Sequence, residues 1–168
     1  RIHGILRELL DFARQGTAAD DVSARADLRA VVEDAAALVA PEGRGRLRIE
    51  RALDDVPEVV GSADRLVQVV LNLLLNAKDA MNGQGTVRVG LTREGEHALL
   101  TIADEGPGIA PEVLERLFEP FVTTKPVGQG TGLGLAVCHT LVERLGGTID
   151  ASNPPEGGAR FELRLPLV

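Results

Sequence analysis

The sequence predicts an α+β protein with two layers, in which helices cover one face of a mixed, mostly antiparallel sheet. Three observations indicate this fold: amphipathic helical patterns, short segments in which apolar and polar residues alternate, and a glycine-rich loop before a further helix. The composition agrees, because 44% of the 168 residues are apolar and 26% are charged, as in globular domains. One domain of this size can bury a sizeable core.

Charge and cysteine content exclude several classes of protein. The net charge of −7 argues against broad electrostatic binding to nucleic acid or acidic lipid. No apolar run approaches the roughly 20 residues of a membrane span, and no signal peptide is recognisable. The single Cys138 excludes an internal disulfide and favours a reducing compartment. We therefore expect a cytoplasmic location, although the parent protein can be anchored in a membrane elsewhere.

The first residues predict the end of a helix, followed by a linker. Apolar residues recur at helical spacing here, and the chain opens at Arg1 inside this pattern. We interpret residues 1–16 as the last part of a helix from a longer protein and residues 17–26 as a linker. Residues 27–168 then form one domain.

The first helix of this domain is predicted to begin after Asp27, a good N-cap, and to end near Pro41. Its predicted apolar stripe comprises Leu28, Val31, Val32, Ala35 and Leu38. A short strand over residues 47–51 should follow, because Leu47 and Ile49 alternate with polar neighbours.

The strongest helical pattern runs from Ser62, the predicted N-cap, to about Met81. Alternation over residues 86–92 and an apolar run over residues 98–102 predict a hairpin with Gly95 in its turn.

The last third of the chain predicts two helices and two strands. Residues 111–117 read as a short helix with a proline at its start. The glycine-rich loop over residues 128–134 leads into a helix that ends at Gly146-Gly147. Residues 148–151 and 159–165 are the predicted final strands.

The first candidate site is a pair of asparagines, Asn72 and Asn76, on one face of the long helix. Asparagine is a poor helix former and is costly to bury unpaired. In one interpretation, neighbouring backbone satisfies both amides. In the other, Asn76 offers its amide oxygen to Mg²⁺, which prefers hard oxygen ligands, while Asn72 orders phosphates or a metal-bound water.

The second candidate site follows a strand directly and comprises Asp104, Gly106, Gly108 and Ile109. A carboxylate at a strand end can accept a hydrogen bond from an exocyclic amine, and the glycines let a planar ring approach the backbone. The alternative is a plain turn, since aspartate, glycine and proline are turn formers.

The third candidate site contains two of the chain's four phenylalanines, Phe118 and Phe121, shortly before Lys125. Such a pair can anchor a mobile segment and leave Lys125 free to reach a phosphate. The alternative is two ordinary core residues and a solvated lysine.

The fourth candidate site is the glycine-rich loop where it enters a helix. Alternating glycines leave backbone N–H groups unobstructed, and the start of a helix favours phosphate. The loop has neither the ending of a Walker loop nor the context of a Rossmann fingerprint. Its candidate nucleotide-binding residues are Gly130, Thr131, Gly132, Leu133, Gly134 and Leu135.

The order of these four motifs resembles the catalytic domain of sensor histidine kinases, in the superfamily shared with gyrase, the heat-shock chaperone and the mismatch-repair ATPases. The resemblance covers about residues 27–167 and implies the Bergerat fold, a two-layer α/β sandwich. Residues 5–14 look like the close of the second helix of the dimerisation and phosphoacceptor hairpin. The motif sequences are most similar to those of the nitrogen-regulation and oxygen-sensing kinases.

This resemblance implies a role for each motif. Asn76 would coordinate Mg²⁺ with support from Asn72, and Asp104 would recognise the adenine of ATP. The base pocket would be shaped by Gly106, Gly108 and Ile109. The glycine loop would form the edge of a lid around the phosphates.

Two departures from the family pattern change these roles. Many relatives carry a lysine and then a tyrosine at the third and fourth positions after the metal-binding asparagine, where this chain has Asp79 and Ala80. We therefore expect Lys125 to contact phosphate and aliphatic side chains to hold the base. Lys78 is expected to be solvated.

The resemblance also implies a reaction, in-line attack by a histidine on the γ-phosphate of MgATP. Relatives that hydrolyse ATP or phosphorylate serine usually carry a glutamate where this chain has Asn72, and an amide cannot accept a proton at neutral pH. None of the three histidines of the sequence lies in an acceptor motif, so no catalytic histidine is assigned among His3, His97 and His139. The fragment should bind MgATP without phosphorylating itself.

The implied partners are the dimerisation and phosphoacceptor hairpin of the same protein and the receiver domain of a response regulator. The parent is expected to be a homodimer that does not bind nucleic acid. Two alternatives stay open: a nucleotide-binding regulatory module without phosphotransfer, and a serine kinase of the anti-sigma type.

Overall fold

The computed structural model describes residues 22–40, 46–126 and 130–168. The predicted helix over residues 1–16, the first part of the linker and His3 lie outside the described residues. Among the helices of the described ranges, none has the length and hydropathy that crossing a membrane requires.

Seven strands and four helices make up this part of the chain. In order they are β1 (Arg25–Ala26), α1 (Leu28–Val39), β2 (Arg46–Leu53), β3 (Val59–Val60), α2 (Ala63–Ala80), β4 (Gln84–Glu94), β5 (His97–Asp104), α3 (Pro111–Leu114), α4 (Gly134–Arg144), β6 (Thr148–Ser152) and β7 (Arg160–Pro166).

The main sheet has five strands in the order β2-β4-β5-β7-β6. The β2–β4 pair is parallel, and the other three pairs are antiparallel. The helices α1, α2 and α4 pack over one face, where the apolar core lies. The predicted class is confirmed: α+β, with a mixed and mostly antiparallel sheet under a layer of helices.

The long helix α2 forms as its sequence predicts. The Ser62 hydroxyl oxygen accepts a hydrogen bond from the Arg65 N–H at 3.4 Å, which caps the first turn. The core-facing stripe consists of Leu66, Val69, Val70, Leu73, Leu74 and Ala77. The helix ends where Asn82 and Gly83 take positive φ, and the Gly83 N–H closes the last turn on the Lys78 carbonyl.

In the first helix, the prediction that Leu38 belongs to the core is wrong. Asp27 caps α1 through the Arg29 N–H, as predicted. However, Leu38 is 65% exposed, and Val39 is buried in its place. Because α1 turns about 100° per residue, Val39 returns to the face of Leu28 after eleven steps, whereas Leu38 lies about 80° away.

Two further predictions need correction. The helix expected over residues 111–117 ends at Leu114, and turns replace its second half. The segment predicted as a linker contains β1, which pairs antiparallel with β3. Strands of two residues are too short to show alternation, so no sequence pattern marks this small ladder.

The alternation along β5 determines where the site lies. Ala98, Leu100, Ile102 and Asp104 are buried, and the residues between them are not. Successive side chains of a strand point to opposite faces, so this phase places the Asp104 carboxylate on the core side of the sheet. The strand thus delivers a charged group to the layer beneath the helices.

Candidate functional site

An open cleft of roughly 800 Å³ lies between α2, the end of β5 and the start of α4. This volume is within the range of small-molecule sites in proteins. Most of the predicted site residues line it: Asn72, Asn76, Asp104, Gly108, Ile109, Lys125, Gly130, Thr131, Gly132, Gly134 and Leu135. Gly106 and Leu133 do not.

Asp104 is the buried charged residue of the described chain, with 7% of its surface exposed. Its Oδ1 atom accepts hydrogen bonds from the Gly106 N–H at 2.8 Å and the Ala159 N–H at 3.2 Å. Within the described ranges no donor reaches Oδ2. A buried polar atom normally has a partner, so this oxygen is available to a ligand that brings an N–H group.

Gly158 and Asn153 support this carboxylate and its loop, and sequence reasoning missed both. Gly158 has φ 75°, and a Cβ atom there would lie 1.8 Å from the Asp104 carbonyl oxygen. The Asn153 side chain holds Ile109 from two sides: Oδ1 accepts from the Ile109 N–H at 2.8 Å, and Nδ2 donates to the Ile109 carbonyl at 2.6 Å. These contacts fix the backbone of the Asp104 loop.

The two asparagines of α2 have different surroundings. Asn76 is half-buried in the cleft wall and makes no hydrogen bond with any residue that the structure describes. The Asn72 Nδ2 donates to the Cys138 Sγ on α4 at 3.6 Å. Burial raises the pKa of the Cys138 thiol to about 12, so the thiol stays protonated at neutral pH. Asn72 therefore ties α2 to α4, whereas Asn76 leaves its amide open to the cleft.

Two lysines lie in the cleft wall. The Lys125 Nζ is 2.5 Å from the Asp79 Oδ2. Lys78 is half-buried and also lines the cleft, and the expectation that its ammonium is solvated stays a prediction. The cleft extends along the last turn of α2 to Asn82 and Gly83, and it therefore includes this lysine.

The phenylalanine segment and the glycine loop meet at the backbone. The Phe121 N–H donates to the Gly132 carbonyl at 3.0 Å, and a Cβ atom on Gly132 would lie 2.5 Å from the Phe121 carbonyl carbon. Only glycine allows this approach. The Phe121 ring is 71% exposed, so it is not a buried anchor, whereas Phe118 is half-buried and stacks on His139.

The start of α4 faces the same cleft. Gly134 and Leu135, its first residues, line the cavity, and Gly134 lies beside the Asn72 side chain. The first N–H groups of a helix have no partner within the helix and carry a partial positive charge. Leu133 is 1% exposed and packs inward instead. This end of the cleft suits an anion.

A metal ion in this cleft would need some of its ligands from a bound molecule and not from the protein. The described residues contain no cluster of three or more histidine, cysteine, aspartate or glutamate side chains that could hold one. The Asn76 amide oxygen has no partner among the described residues, and it is a hard oxygen ligand of the kind that Mg²⁺ prefers.

Comparison with known proteins agrees with this geometry. The profile of the family described as histidine kinase-, DNA gyrase B-, and HSP90-like ATPase matches residues 61–168. The chain is 38% identical to the sensor histidine kinase ZraS of Escherichia coli O157:H7, over 99% of the chain and 36% of ZraS. It is 51% identical to the two-component sensor PprA of Pseudomonas aeruginosa, over 65% of the chain and 12% of PprA.

Solved structures give the same result. The mycobacterial sensor histidine kinase MprB superposes with a TM-score of 0.75 at 30% identity, covering 85% of this chain and 96% of that one. ShkA, solved in complex with AMPPNP, superposes with a TM-score of 0.78 at 29% identity, over 98% of this chain and 36% of ShkA. The chain thus spans about a third of the length of ZraS and of ShkA.

Proposed function

Because the chain belongs to the family of histidine kinase-, DNA gyrase B- and HSP90-like ATPases, we propose that it is the ATP-binding catalytic domain of a sensor histidine kinase. In this role it binds MgATP in the cleft and presents the γ-phosphate to a histidine outside residues 1–168. The observation that carries the proposal is the buried Asp104, which has one oxygen fixed by backbone and the other open to the cleft.

At the base end of the cleft (Asp104 and Ile109, with Asn153 and Gly158 supporting their backbone from outside the lining), the Asp104 Oδ2 accepts a hydrogen bond from the adenine amino group. A carboxylate that accepts from an amine favours adenine over guanine, whose ring carries an oxygen at that position. Ala80 offers no ring to stack on the base. Aliphatic side chains such as Ile109 therefore contact its faces.

At the phosphate end (Asn76, Asp79, Lys125 and the start of α4), backbone N–H groups and the Lys125 ammonium neutralise the triphosphate. The Asn76 amide oxygen is the protein ligand for Mg²⁺. Bound there, the ion neutralises charge on the β- and γ-phosphates. Asn76 would thus contribute one hard oxygen ligand from the chain, the kind of ligand that Mg²⁺ prefers.

The chain supplies position and charge for this reaction, but it has Asn72 where relatives that hydrolyse ATP or phosphorylate serine usually carry the glutamate that acts as general base. Asn72, whose amide donates to the buried Cys138 thiol, cannot accept a proton. A water molecule or a serine hydroxyl at the γ-phosphate therefore lacks a base here. An incoming imidazole is already a nucleophile, which makes histidine the acceptor that this site favours.

The partners follow from this assignment. We propose that the acceptor lies on a dimerisation and phosphoacceptor hairpin of the same parent protein, and that the phosphoryl group passes on to a response regulator receiver domain. The parent would be a homodimer whose catalytic domain works in the cytoplasm.

Calorimetry with ATP in the presence and absence of Mg²⁺ tests the binding part of the proposal. The Asn76→Ala variant should bind ATP in Mg²⁺ only as well as it binds without the ion, because its cation ligand is gone. Gln68→Ala, which removes an amide from the same helix about two turns before Asn76 and outside the cleft lining, should behave as wild type. Full Mg²⁺-dependent affinity in Asn76→Ala would show that the metal site lies elsewhere.

A transfer assay with γ-labelled ATP tests the reaction. The 168-residue chain alone should take up no label, and adding the parent's hairpin should lead to labelling of the hairpin on histidine. A chain that binds ATP but never labels the hairpin would be a regulatory nucleotide module. Acid-stable label on a serine of a partner would instead identify a serine kinase.

A further inference from the structure

The ion pair between Lys125 and Asp79 joins two parts of the cleft wall that are 46 residues apart in sequence. Lys125 comes from the segment after the phenylalanines, and Asp79 from the last turn of α2. Their side chains are 34% and 52% exposed, and both line the cleft. The pair is therefore within reach of a ligand and not buried under the fold.

Asp79 lies on the same face of α2 as Asn76, because residues three apart on a helix are neighbours. Its carboxylate thus holds the Lys125 ammonium within about one helical turn of the open Asn76 amide. Among the described residues that line the cleft, the only other carboxylate is that of Asp104, one oxygen of which is held by backbone N–H groups.

The stem of Lys125 is held as well as its head. A Cβ atom on Gly130 would lie 2.9 Å from the Lys125 Cδ and 3.2 Å from its Cβ, so the lysine stem runs across the surface that this glycine leaves free. Gly130 supports the stem and Asp79 the ammonium. A long side chain that is fixed at two points loses much of the rotamer freedom that binding would otherwise remove.

A lone carboxylate at the phosphate end would repel ATP, but the pair is neutral as a whole. An ammonium has three N–H donors, and Asp79 occupies one of them. The others stay available, so Lys125 can keep its contact with Asp79 while it donates to a phosphate oxygen.

We propose that Asp79 is a positioning residue, which holds the Lys125 ammonium where the terminal phosphate of ATP binds. This inference rests on the proposed function of the cleft and deepens it. The effect of the Lys125 ammonium on ATP binding therefore depends on both residues. Asp79 strengthens ATP binding when Lys125 is present, and weakens it when Lys125 is absent.

A double-mutant cycle measured by calorimetry in Mg²⁺ tests this reversal of sign. Asp79→Asn should weaken ATP binding about fivefold, the order of an exposed ion pair, and should change ADP binding less than twofold. In a Lys125→Met background, the same Asp79→Asn change should leave ATP binding unchanged or strengthen it, because only a repulsive charge is then removed.

A variant that places the ammonium on the helix gives a second measurement of ATP affinity. In the Lys125→Met background, Asp79→Lys brings an ammonium from α2 to the place where the Lys125 ammonium lies in the wild type. It should recover most of the ATP affinity that Lys125→Met loses. Thermal unfolding midpoints, which these part-exposed positions should shift little, check that each variant folds.

Three results would overturn the inference. Tighter ATP binding in Asp79→Asn alone would mean that Asp79 competes with the nucleotide for the lysine. Equal effects in both backgrounds would mean that the two residues do not act together, and equal effects on ATP and ADP would place the pair away from the terminal phosphate. A wild-type chain that binds no adenine nucleotide would instead refute the proposed function itself.

Discussion

At the base end of the cleft a buried carboxylate is fixed by backbone N–H groups, whereas at the phosphate end half-exposed side chains carry the charge. Asp104 is 7% exposed, and two main-chain donors hold one of its oxygens. Asn76 has no hydrogen-bond partner among the described residues, and the Lys125–Asp79 pair is reached by solvent. We infer that the base end is preorganised, whereas at the phosphate end the proposed nucleotide would supply the missing partners.

This difference has a physical reason. Recognition of a flat base needs a donor or acceptor at a fixed place, and a preorganised site avoids the cost of ordering it at the moment of binding. A triphosphate brings its own charge and, as proposed, its own cation. If the phosphoryl group is transferred as proposed, the phosphate end must also release the ADP that remains. Substitutions at the base end should therefore act on every adenine ligand, and those at the phosphate end on the triphosphate.

The largest effect is expected at Asp104. Asp104→Asn can leave the backbone contacts of Oδ1 in place but turns an NH₂ group toward the adenine amino group, so two donors face each other. We expect ATP affinity to fall about 100-fold, the order of a lost charged hydrogen bond with an unpaired partner. Calorimetry with ATP and GTP measures this change and the accompanying loss of preference for adenine.

The neighbouring carboxylate provides the matched control. Glu105 pairs with Arg88 at 2.8 Å outside the cleft lining, so Glu105→Gln should bind ATP as wild type does. If both variants bound ATP equally well, the buried carboxylate would not be the base acceptor, and the contrast between the two ends would lose its basis.

The second effect is on stability and concerns the support beneath Asp104. Gly158→Ala introduces a Cβ atom at φ 75°, where it would lie 1.8 Å from the Asp104 carbonyl oxygen. Strain of this kind costs about 2 kcal/mol or more, so the free energy of unfolding should fall by that amount in urea titrations.

A control at a nearby glycine separates the cost of positive φ in the backbone from the cost of the steric clash between the new Cβ atom and Asp104. Gly157 also has positive φ, at 102°, but a Cβ atom there would meet nothing within 4 Å. Gly157→Ala should therefore destabilise less than Gly158→Ala. Equal losses in the two variants would mean that backbone conformation alone matters, and that Gly158 has no special part in holding Asp104.

The sequence pattern predicts those parts of the site that depend on nearby residues. The Ser62 cap and the apolar stripe define α2 and so bring Asn72 and Asn76 to one face. A strand followed by glycines indicates Asp104. The missed contacts are distant in sequence: Asn153 reaches Ile109 across 44 residues, and Ala159 reaches Asp104 across 55. No local pattern encodes such pairs, and they exist only once β5, β6 and β7 are side by side.

The smallest effect is expected at Asn153, which shapes the base end without touching the base acceptor. Asn153→Ala removes both hydrogen bonds to the Ile109 backbone, but water can replace them because the contact is exposed. Each hydrogen bond contributes about 1 kcal/mol net, and because water replaces part of what the two bonds supply, ATP affinity should fall only about fivefold. Competition titrations with adenosine should show the same loss, because the change acts on the base pocket alone.

The control for this prediction is Asn153→Asp, which keeps the acceptor for the Ile109 N–H and should therefore lose less ATP affinity. Weaker ATP binding with unchanged adenosine binding would mean that the Asn153 clamp supports the phosphate end instead, and the division of the cleft into a prebuilt and a ligand-completed end would then be wrong.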